Sequence, residues 1–399
     1  MVEEVVSNGS PTMITDSTAD VTEAALRARK GDKWSRYGAD VLPAWVADMD
    51  FPVPDSVREV LVWSAEHSAL GYGRPEDERE MFEAGSRWLA TRHGWEPDPE
   101  SFASLGNLVQ GLYLAVWAFT EPGEGVVVQT PIYPPFLTGV AALGRRVVEN
   151  RLVDACGSAS LDLDGLRRLA ADPHTRLLLL CNPHNPTGRV LRRDELEAIA
   201  AIALDCDLVV VSDEIWMDVV YPGRRHIPFA TISPEAAART VTLTSATKAF
   251  NIAGLRCAVA IFGSPALRER FSVLPPKMWG TPGVLGIRAT AAAWTDGGPW
   301  LDVVLRQLDA NRRALAQFVR ERLPGVRHRS PEGTYLAWLD FSALRLDRPA
   351  AAFLLDRARV ALSDGSDFGG GGHCARLNFA TTPAILSQIC ERIARALDG

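Results

Sequence analysis

Four polar stretches in the sequence share one placement: each follows a short apolar run. Asn182-Pro183-His184-Asn185-Pro186-Thr187-Gly188 follows 176–181, and Asp213-Glu214 follows 207–212. Ser245-Ala246-Thr247-Lys248 follows 241–244, and Pro131-Ile132-Tyr133 follows 125–130. The runs are β-branched or Leu-rich with little alternation, which is how strands buried on both faces read. In an open parallel sheet, ligands bind outside the carboxyl ends of the strands. The polar residues therefore converge there as an amide, a carboxylate, two hydroxyls, a lysine and an aromatic ring. A phosphorylated aromatic aldehyde requires that inventory, with the lysine forming the imine.

Each residue also has a plainer reading. The two Asn-Pro steps mark a tight turn on any account. An Asp at the end of a strand is commonly a cap, Ser-x-Thr-Lys can open a solvated helix, and Tyr133 between prolines fits a core or an interface. Their joint occurrence, in order and at equivalent positions, is what points to a site. Lysine usage adds to this. The chain holds four lysines, at 30, 33, 248 and 277, against thirty-eight arginines. Arginine cannot deprotonate or form an imine, whereas lysine can do both, so a retained lysine invites the question of whether its amine is needed.

The elements that must position these residues alternate along the chain. Residues 56–69 and 76–93 are amphipathic and read as helices, the first with a cap at Pro54-Asp55-Ser56. Strands are expected at Gly125–Thr130, Arg176–Cys181, Asp207–Ser212, Val241–Ser245 and Ala258–Phe262, with a helix over 193–205. This is an α/β pattern with a mostly parallel central sheet flanked by helices. After about residue 290 the pattern changes to a long helix at 299–323, a strand-like 333–341, a helix near 349–359, a Gly-rich loop at 369–372, a strand at 375–380 and a terminal helix from Pro383. The expected division is an N-terminal arm at 1–30 with a short helix near 21–30, a joining segment at 31–52, a large domain at 53–290 and a smaller α+β domain at 291–399.

Bulk properties narrow the classes. A length of 399 residues suits two or three domains, and 47% hydrophobic with 23% charged residues can support a large core. A net charge of −7 without a basic block argues against a nucleic-acid surface. No apolar run approaches the ~20 residues of a membrane span, and the first residues lack the pattern of a secretory signal, so a cytoplasmic location is expected. The six cysteines, at 156, 181, 206, 257, 374 and 390, show no metal-ligand spacing, and no histidines form an H-E-x-x-H pair. A metal site is not expected.

The chain resembles fold-type I pyridoxal 5′-phosphate (PLP) enzymes of the aspartate aminotransferase superfamily, and more closely the MalY/PatB branch of cystathionine β-lyases and C–S lyases. The resemblance spans about 31–397 and is carried by Lys33-Trp34-x-x-Tyr37-Gly38, Trp45-Val46-Ala47-Asp48-Met49-Asp50-Phe51, Gly71-Tyr72, Pro131 to Phe136, Asn182 to Gly188, Ser212 to Ile215, Ser245 to Leu255, Tyr335 to Asp340 and Arg376-Leu377-Asn378. It implies PLP as cofactor, held by Lys248 as a Schiff base. It implies Asp213 on the pyridinium nitrogen, Asn185 on the 3′-oxygen and Tyr133 stacked on the ring. The phosphate would sit on Gly106-Asn107-Leu108 with Ser245, Thr247 and Arg256, and Tyr72 would reach in from the second subunit of a homodimer. Arg376, with Asn185 and the Asp48-Met49-Asp50 loop, would bind the substrate, an S-substituted L-cysteine.

Three positions depart from the branch. Gly106-Asn107-Leu108 replaces a more usual Gly-Val-Val, Arg256 stands where many lyase relatives have Gln or Thr, and Trp216 stands where relatives commonly carry His. Indole donates one hydrogen bond and cannot accept or shuttle a proton. The resemblance implies a C–S β-lyase that cleaves this substrate to thiol, pyruvate and ammonia; transamination, and decarboxylation coupled to oxidative deamination, are the alternatives on the same residues. A regulator-binding relative without catalysis is the alternative from another class, and the intact Lys248, Asp213 and Arg376 set argues against it.

Overall fold

The computed structural model describes residues 21–273 and 280–398; residues 1–20 of the arm expected at 1–30, and Lys277, lie outside them. Thirteen strands occur among the described residues. Seven build the main sheet: β2 (Phe102–Leu105), β3 (Gly125–Val128), β4 (Arg146–Glu149), β5 (Thr175–Cys181), β6 (Val209–Asp213), β7 (Thr240–Thr244) and β8 (Ala258–Phe262), in the order β2-β8-β7-β6-β5-β3-β4. Pairing is parallel from β4 through β7. The strand β8 runs antiparallel to both β7 and β2, so the sheet is mixed, with one reversed strand in a mostly parallel array.

Strand alternation sends neighbouring residues to opposite faces, and here each face has its own core. Val126, Val128, Leu177, Leu179, Val209 and Val211 pack into one cluster with the helix Leu108–Phe119. The residues between them, Val127, Leu178, Leu180 and Val210, pack into the other with the helix Arg193–Asp205. Burial on both faces is why these runs read as continuously apolar.

The remaining strands are β1 (Leu42–Pro43), β9 (Arg327–His328), β10 (Leu336–Asp340), β11 (Val360–Ala361), β12 (Ser363–Asp364) and β13 (Cys374–Asn378). Four of them form an antiparallel sheet in the order β12-β13-β10-β9, and β1 pairs with β11. The helices Gly298–Arg322, Ala350–Arg357 and Pro383–Asp398 contribute Leu301, Leu308, Leu354, Ile389 and Ile393 to one cluster with Leu336, Leu339 and Leu377.

Between the two sheets runs a segment, residues 44–51, outside any strand or helix. Its backbone groups are satisfied largely by side chains, as buried peptide groups require. Asn251 donates to the Met49 and Phe51 carbonyls and accepts from the Met49 amide. Asn378 donates to the Val46 and Asp48 carbonyls, and Lys33 donates to Asp48. Asn251 itself sits at φ +58°, a left-handed conformation that asparagine tolerates better than most residues.

Lys33 also forms a buried ion pair with Asp50 at 3.0 Å, and the other Asp50 oxygen accepts from the Trp34 indole at 2.7 Å. Removing one member of such a pair strands its partner in low dielectric. Lys33→Met is therefore expected to lower the unfolding free energy by about 3 kcal/mol, read as a drop in the urea midpoint; an unchanged midpoint would show that the pair does not hold the segment.

Candidate active site

The carboxyl ends of β5, β6 and β7 and the strand β13 open on one cavity of about 370 Å³. Lys248, Asp213, Asn185, Tyr133 and Arg376 line it, together with Asn107, Leu108, Thr247, Arg256 and Trp216. Residues separated by 270 positions in sequence are thus brought to one space by the sheet order.

Asp213 is the last residue of β6 and is buried. One carboxylate oxygen accepts from the Ile215 amide at 3.1 Å. Burial pushes its carboxyl up to about 7, with the Glu214 charge adding to the rise while the Ile215 amide and Lys248 oppose it. A cationic ring nitrogen placed beside it would reverse that trend, since an opposite charge favours the ionised form.

Lys248 follows β7. Its Nζ donates to the Ala47 carbonyl at 2.8 Å and lies 5.9 Å from the centre of the Trp216 ring. Burial lowers its pKa, with Asp48 and Asp213 opposing and Arg376 adding. A depressed amine is more readily present as the neutral nucleophile or base. Ser245 does not line the cavity. Its hydroxyl donates to the Cys257 carbonyl at 2.5 Å and lies 2.8 Å from Thr247 Oγ1, so it anchors Thr247, which does line the cavity.

Arg376 is buried in β13 without a carboxylate partner among the described residues. Nη1 donates to Asn185 Oδ1 at 2.9 Å, and Nη2 reaches the Trp45 carbonyl at 3.1 Å and Ser363 Oγ at 3.2 Å. Nε has no hydrogen-bond partner. Burial lowers its pKa to about 10, with Tyr133 and Tyr335 opposing. A desolvated guanidinium with a free donor is a receptor for a carboxylate.

The helix Leu108–Phe119 begins at the cavity, with Asn107 as its cap accepting from the Gln110 amide at 2.9 Å. A helix N-terminus favours an anion such as phosphate. Gly106 lies outside the cavity lining, and its amide donates to the Gln110 side chain at 3.1 Å. Asn185 sits in a turn fixed by His184, whose Nε2 lies 3.2 Å from the Gln129 carbonyl and must donate there, leaving Nδ1 to accept from Thr187 at 2.9 Å. Burial holds the His184 ring neutral, with its pKa lowered to about 4. The turn ends at Gly188, whose φ of +67° and approach to Pro331 and Gly333 leave no room for a Cβ.

The donor set fits a phosphorylated pyridine aldehyde with an amino-acid carboxylate beside it: an amine, a buried carboxylate with one hydrogen bond, a helix N-terminus and an aromatic ring, plus the unpaired Nε of Arg376. Other expected residues lie elsewhere. Tyr72 is fully exposed, away from this cavity. Asp48 and Met49 do not line it. The tight turn from Val46 to the Asp48 amide and the Asn251 clamp on Met49 present Trp45, Val46 and Ala47 instead. Sequence reasoning also missed Ser363 and Phe368, the latter 4.8 Å beneath the Arg376 guanidinium. Neither carries a local signal; the motif around Trp45 did.

Residues 46–393 match the family described as aminotransferase class I and II. Cystathionine beta-lyase PatB of Bacillus subtilis is 38% identical over 373 residues, covering 92% of this chain and 96% of the relative. The structure of cystalysin from Treponema denticola, which contains a pyridoxal 5′-phosphate cofactor, superposes with a TM-score of 0.89 at 33% identity, over 95% of this chain and 98% of that one. The PLP-bound C–S lyase from Staphylococcus hominis gives 0.87 at 29% identity, again over 95% and 98%.

The raised carboxyl of Asp213 makes a prediction for the cofactor-free protein. Between about 4, where an unfolded Asp ionises, and about 7, the native state keeps a proton that the unfolded chain has lost. Its contribution to stability therefore falls as pH rises through that window. Asp213→Asn is expected to gain on the wild type by as much as about 4 kcal/mol above pH ~7 and by little near pH ~4, measured by urea unfolding across pH. A gap that does not change with pH would show that the carboxyl is not held protonated.

Proposed function

The chain belongs to the aminotransferase class I and II family, and we propose that it is a PLP-dependent C–S β-lyase that converts an S-substituted L-cysteine to a thiol, pyruvate and ammonia. The observation that carries this reading is a buried Arg376, with no anionic partner among the described residues, in the same cavity as Lys248 and Asp213. Similarity to cystathionine beta-lyase PatB and to PLP-bound C–S lyases supports the same chemistry.

Lys248, Asp213 and Tyr133 would hold PLP, which would supply an electron sink for the pair left on the substrate α-carbon. Asp213 would pair with the ring nitrogen and keep it protonated. Lys248 would hold the cofactor between turnovers and, once released, would take the α-proton. Its resting partner, the Ala47 carbonyl, keeps the Tyr335 hydroxyl at 3.1 Å when the amine moves. Arg376 would grip the α-carboxylate and so orient the bonds at the α-carbon. Asn185, held by Arg376, joins the cofactor side of the site to the substrate side.

Trp216 closes the cavity, buried against Tyr335 with ring centroids 4.7 Å apart at 79°. An apolar wall that cannot shuttle a proton favours a bulky, apolar substituent on sulfur over the polar arm of cystathionine. The same proposal includes a homodimer with active sites at the interface. The exposed Tyr72 would reach the neighbouring site there, and the exposed Arg256, already at its own cavity, would complete the phosphate cup. Among the described residues no helix is long and apolar enough to cross a membrane; the cytoplasm is the proposed compartment.

The test supplies an S-alkyl cysteine without any keto acid. Equal amounts of thiol, pyruvate and ammonia are expected. A strict need for a keto-acid acceptor would make the enzyme an aminotransferase, and carbon dioxide with sulfur retained in the product would make it a decarboxylating deaminase. Arg376→Lys is expected to reduce kcat/KM about thirty-fold, the worth of about 2 kcal/mol in a charge-assisted bidentate contact; an unchanged value would remove Arg376 from substrate binding. Larger S-alkyl cysteines are expected to outperform cystathionine in kcat/KM, and the reverse order would refute the reading of Trp216.

A further inference from the structure

Outside the active-site cavity, three side chains able to ligate a metal, Cys374, His373 and Asp340, meet between the two parts of the chain, and a fourth, Cys156, stands beside Cys374. Cys156, in the loop after β4, and Cys374, the first residue of β13, lie 3.9 Å apart at sulfur. Cys374 Sγ, an Asp340 oxygen and a His373 ring nitrogen all fall within 4.8 Å of one another. Strand register explains part of this, since Asp340 is the direct partner of Cys374 across β10 and β13. A surface cavity of about 240 Å³ reaches all four residues. Cys156, Cys374 and Asp340 are buried, and His373 is exposed with no hydrogen bond to its ring among the described residues. Linear spacing gives no hint of the cluster, because its members come from positions 156, 340, 373 and 374.

We propose that Cys156, Cys374, His373 and Asp340 form a closed structural site for one thiophilic divalent cation of the zinc type. Tetrahedral zinc with Zn–S bonds of about 2.3 Å puts two thiolate sulfurs about 3.8 Å apart, close to the observed separation. A disulfide would use neither the imidazole nor the carboxylate; the cation uses all four. With every position filled by protein, no site remains for substrate, so the role is to hold structure. Asp340 is oriented by the Ser342 amide at 2.8 Å. Arg327, 3.6 Å from Asp340, is also paired with Asp154, so a metal on Asp340 leaves that guanidinium with an anion. On binding, each thiol releases its proton to solvent and the sulfur electron pair goes to the metal, with no change of oxidation state. Uptake therefore strengthens as pH rises. The bound cation would tie the 153–160 loop to the strand that carries Arg376 two residues further on.

The experiment uses PLP-loaded enzyme, stripped with a chelator, reduced with a phosphine and titrated with Co²⁺. One equivalent is expected to bind, with a sulfur-to-cobalt charge-transfer band and strong tetrahedral bands to the red of the cofactor absorption, all erased by Zn²⁺. His373→Ala, at an exposed position, is expected to bind at least tenfold more weakly, and Cys374→Ser to lose most of the charge-transfer intensity. Zinc is expected to raise the thermal midpoint of the wild type and not of His373→Ala. A weak octahedral-type spectrum, binding indifferent to His373→Ala, or a Cys156–Cys374 disulfide whose reduction restores no cation uptake would each overturn the proposal.

Discussion

Two buried groups of opposite sign, Asp213 and Arg376, share one cavity without forming an ion pair with each other or with any described residue. That arrangement is costly, because a charge removed from water without a partner loses its solvation. Its cost shows in both groups, one pushed toward its neutral acid and the other toward its neutral base. The fold must hold them apart against that penalty. Asp213 is fixed by its place at the end of a strand packed on both faces, and Arg376 by Asn185, Ser363 and the Trp45 carbonyl. A ligand bearing a cationic nitrogen at one end and a carboxylate at the other would satisfy both, and each pairing would contribute to its affinity and orientation.

The second demand is that the chain between the sheets be ordered without secondary structure. Of residues 44–51 only Ala44 has strand partners, its amide on Ala361 and its carbonyl on the Asn378 amide; beyond it the side chains of Asn251, Asn378 and Lys33 take up many of the peptide groups. Asn251 lies three residues beyond Lys248 and Asn378 two beyond Arg376, so the groups that fix the segment are covalent neighbours of groups that line the cavity. A shift of the segment is thereby coupled to both. The Ala47 carbonyl makes the coupling direct, since it accepts from Lys248 and Tyr335 together.

Much of this was legible in the sequence because burial leaves a pattern. The runs that became β5, β6, β7 and β8 are largely buried on both faces, and the expected and observed limits agree within a residue or two. The helix Arg193–Asp205 matches its expected span. The edge strands β2 and β4 were missed: β4 reads Arg-Val-Val-Glu, half exposed, and carries too few apolar residues to announce itself. Strand direction is also invisible to periodicity, so the reversal of β8 came only from the coordinates. Of the residues that line the cavity, Lys248, Asp213, Asn185 and Tyr133 were legible because each ends or follows an apolar run, and Arg376 through the family resemblance. Ser363 and Phe368 belong to short elements whose role depends on how the C-terminal sheet docks, a long-range fact that no window of sequence contains. Of the four lysines, Lys33 forms a buried ion pair and Lys248 lines the cavity, so scarcity alone does not say which property of a retained amine is used.

One strand shows how few residues the arrangement needs. Alternate residues of β13 point to the same face, and Cys374, Arg376 and Asn378 are such a set. Asn378 holds the irregular segment and Arg376 faces the cavity, while Cys374 meets Cys156 in the loop after β4. Their partners across the strand pair are Leu336, Trp338 and Asp340, so register alone carries the Asp340 carboxylate to Cys374 and the Trp338 ring to the level of Arg376. A register slip of one residue would turn all three side chains away together. The position of the cavity-lining guanidinium is therefore set by the same backbone pairing that orders the segment beside it and the sulfur cluster behind it, and none of the three can drift independently.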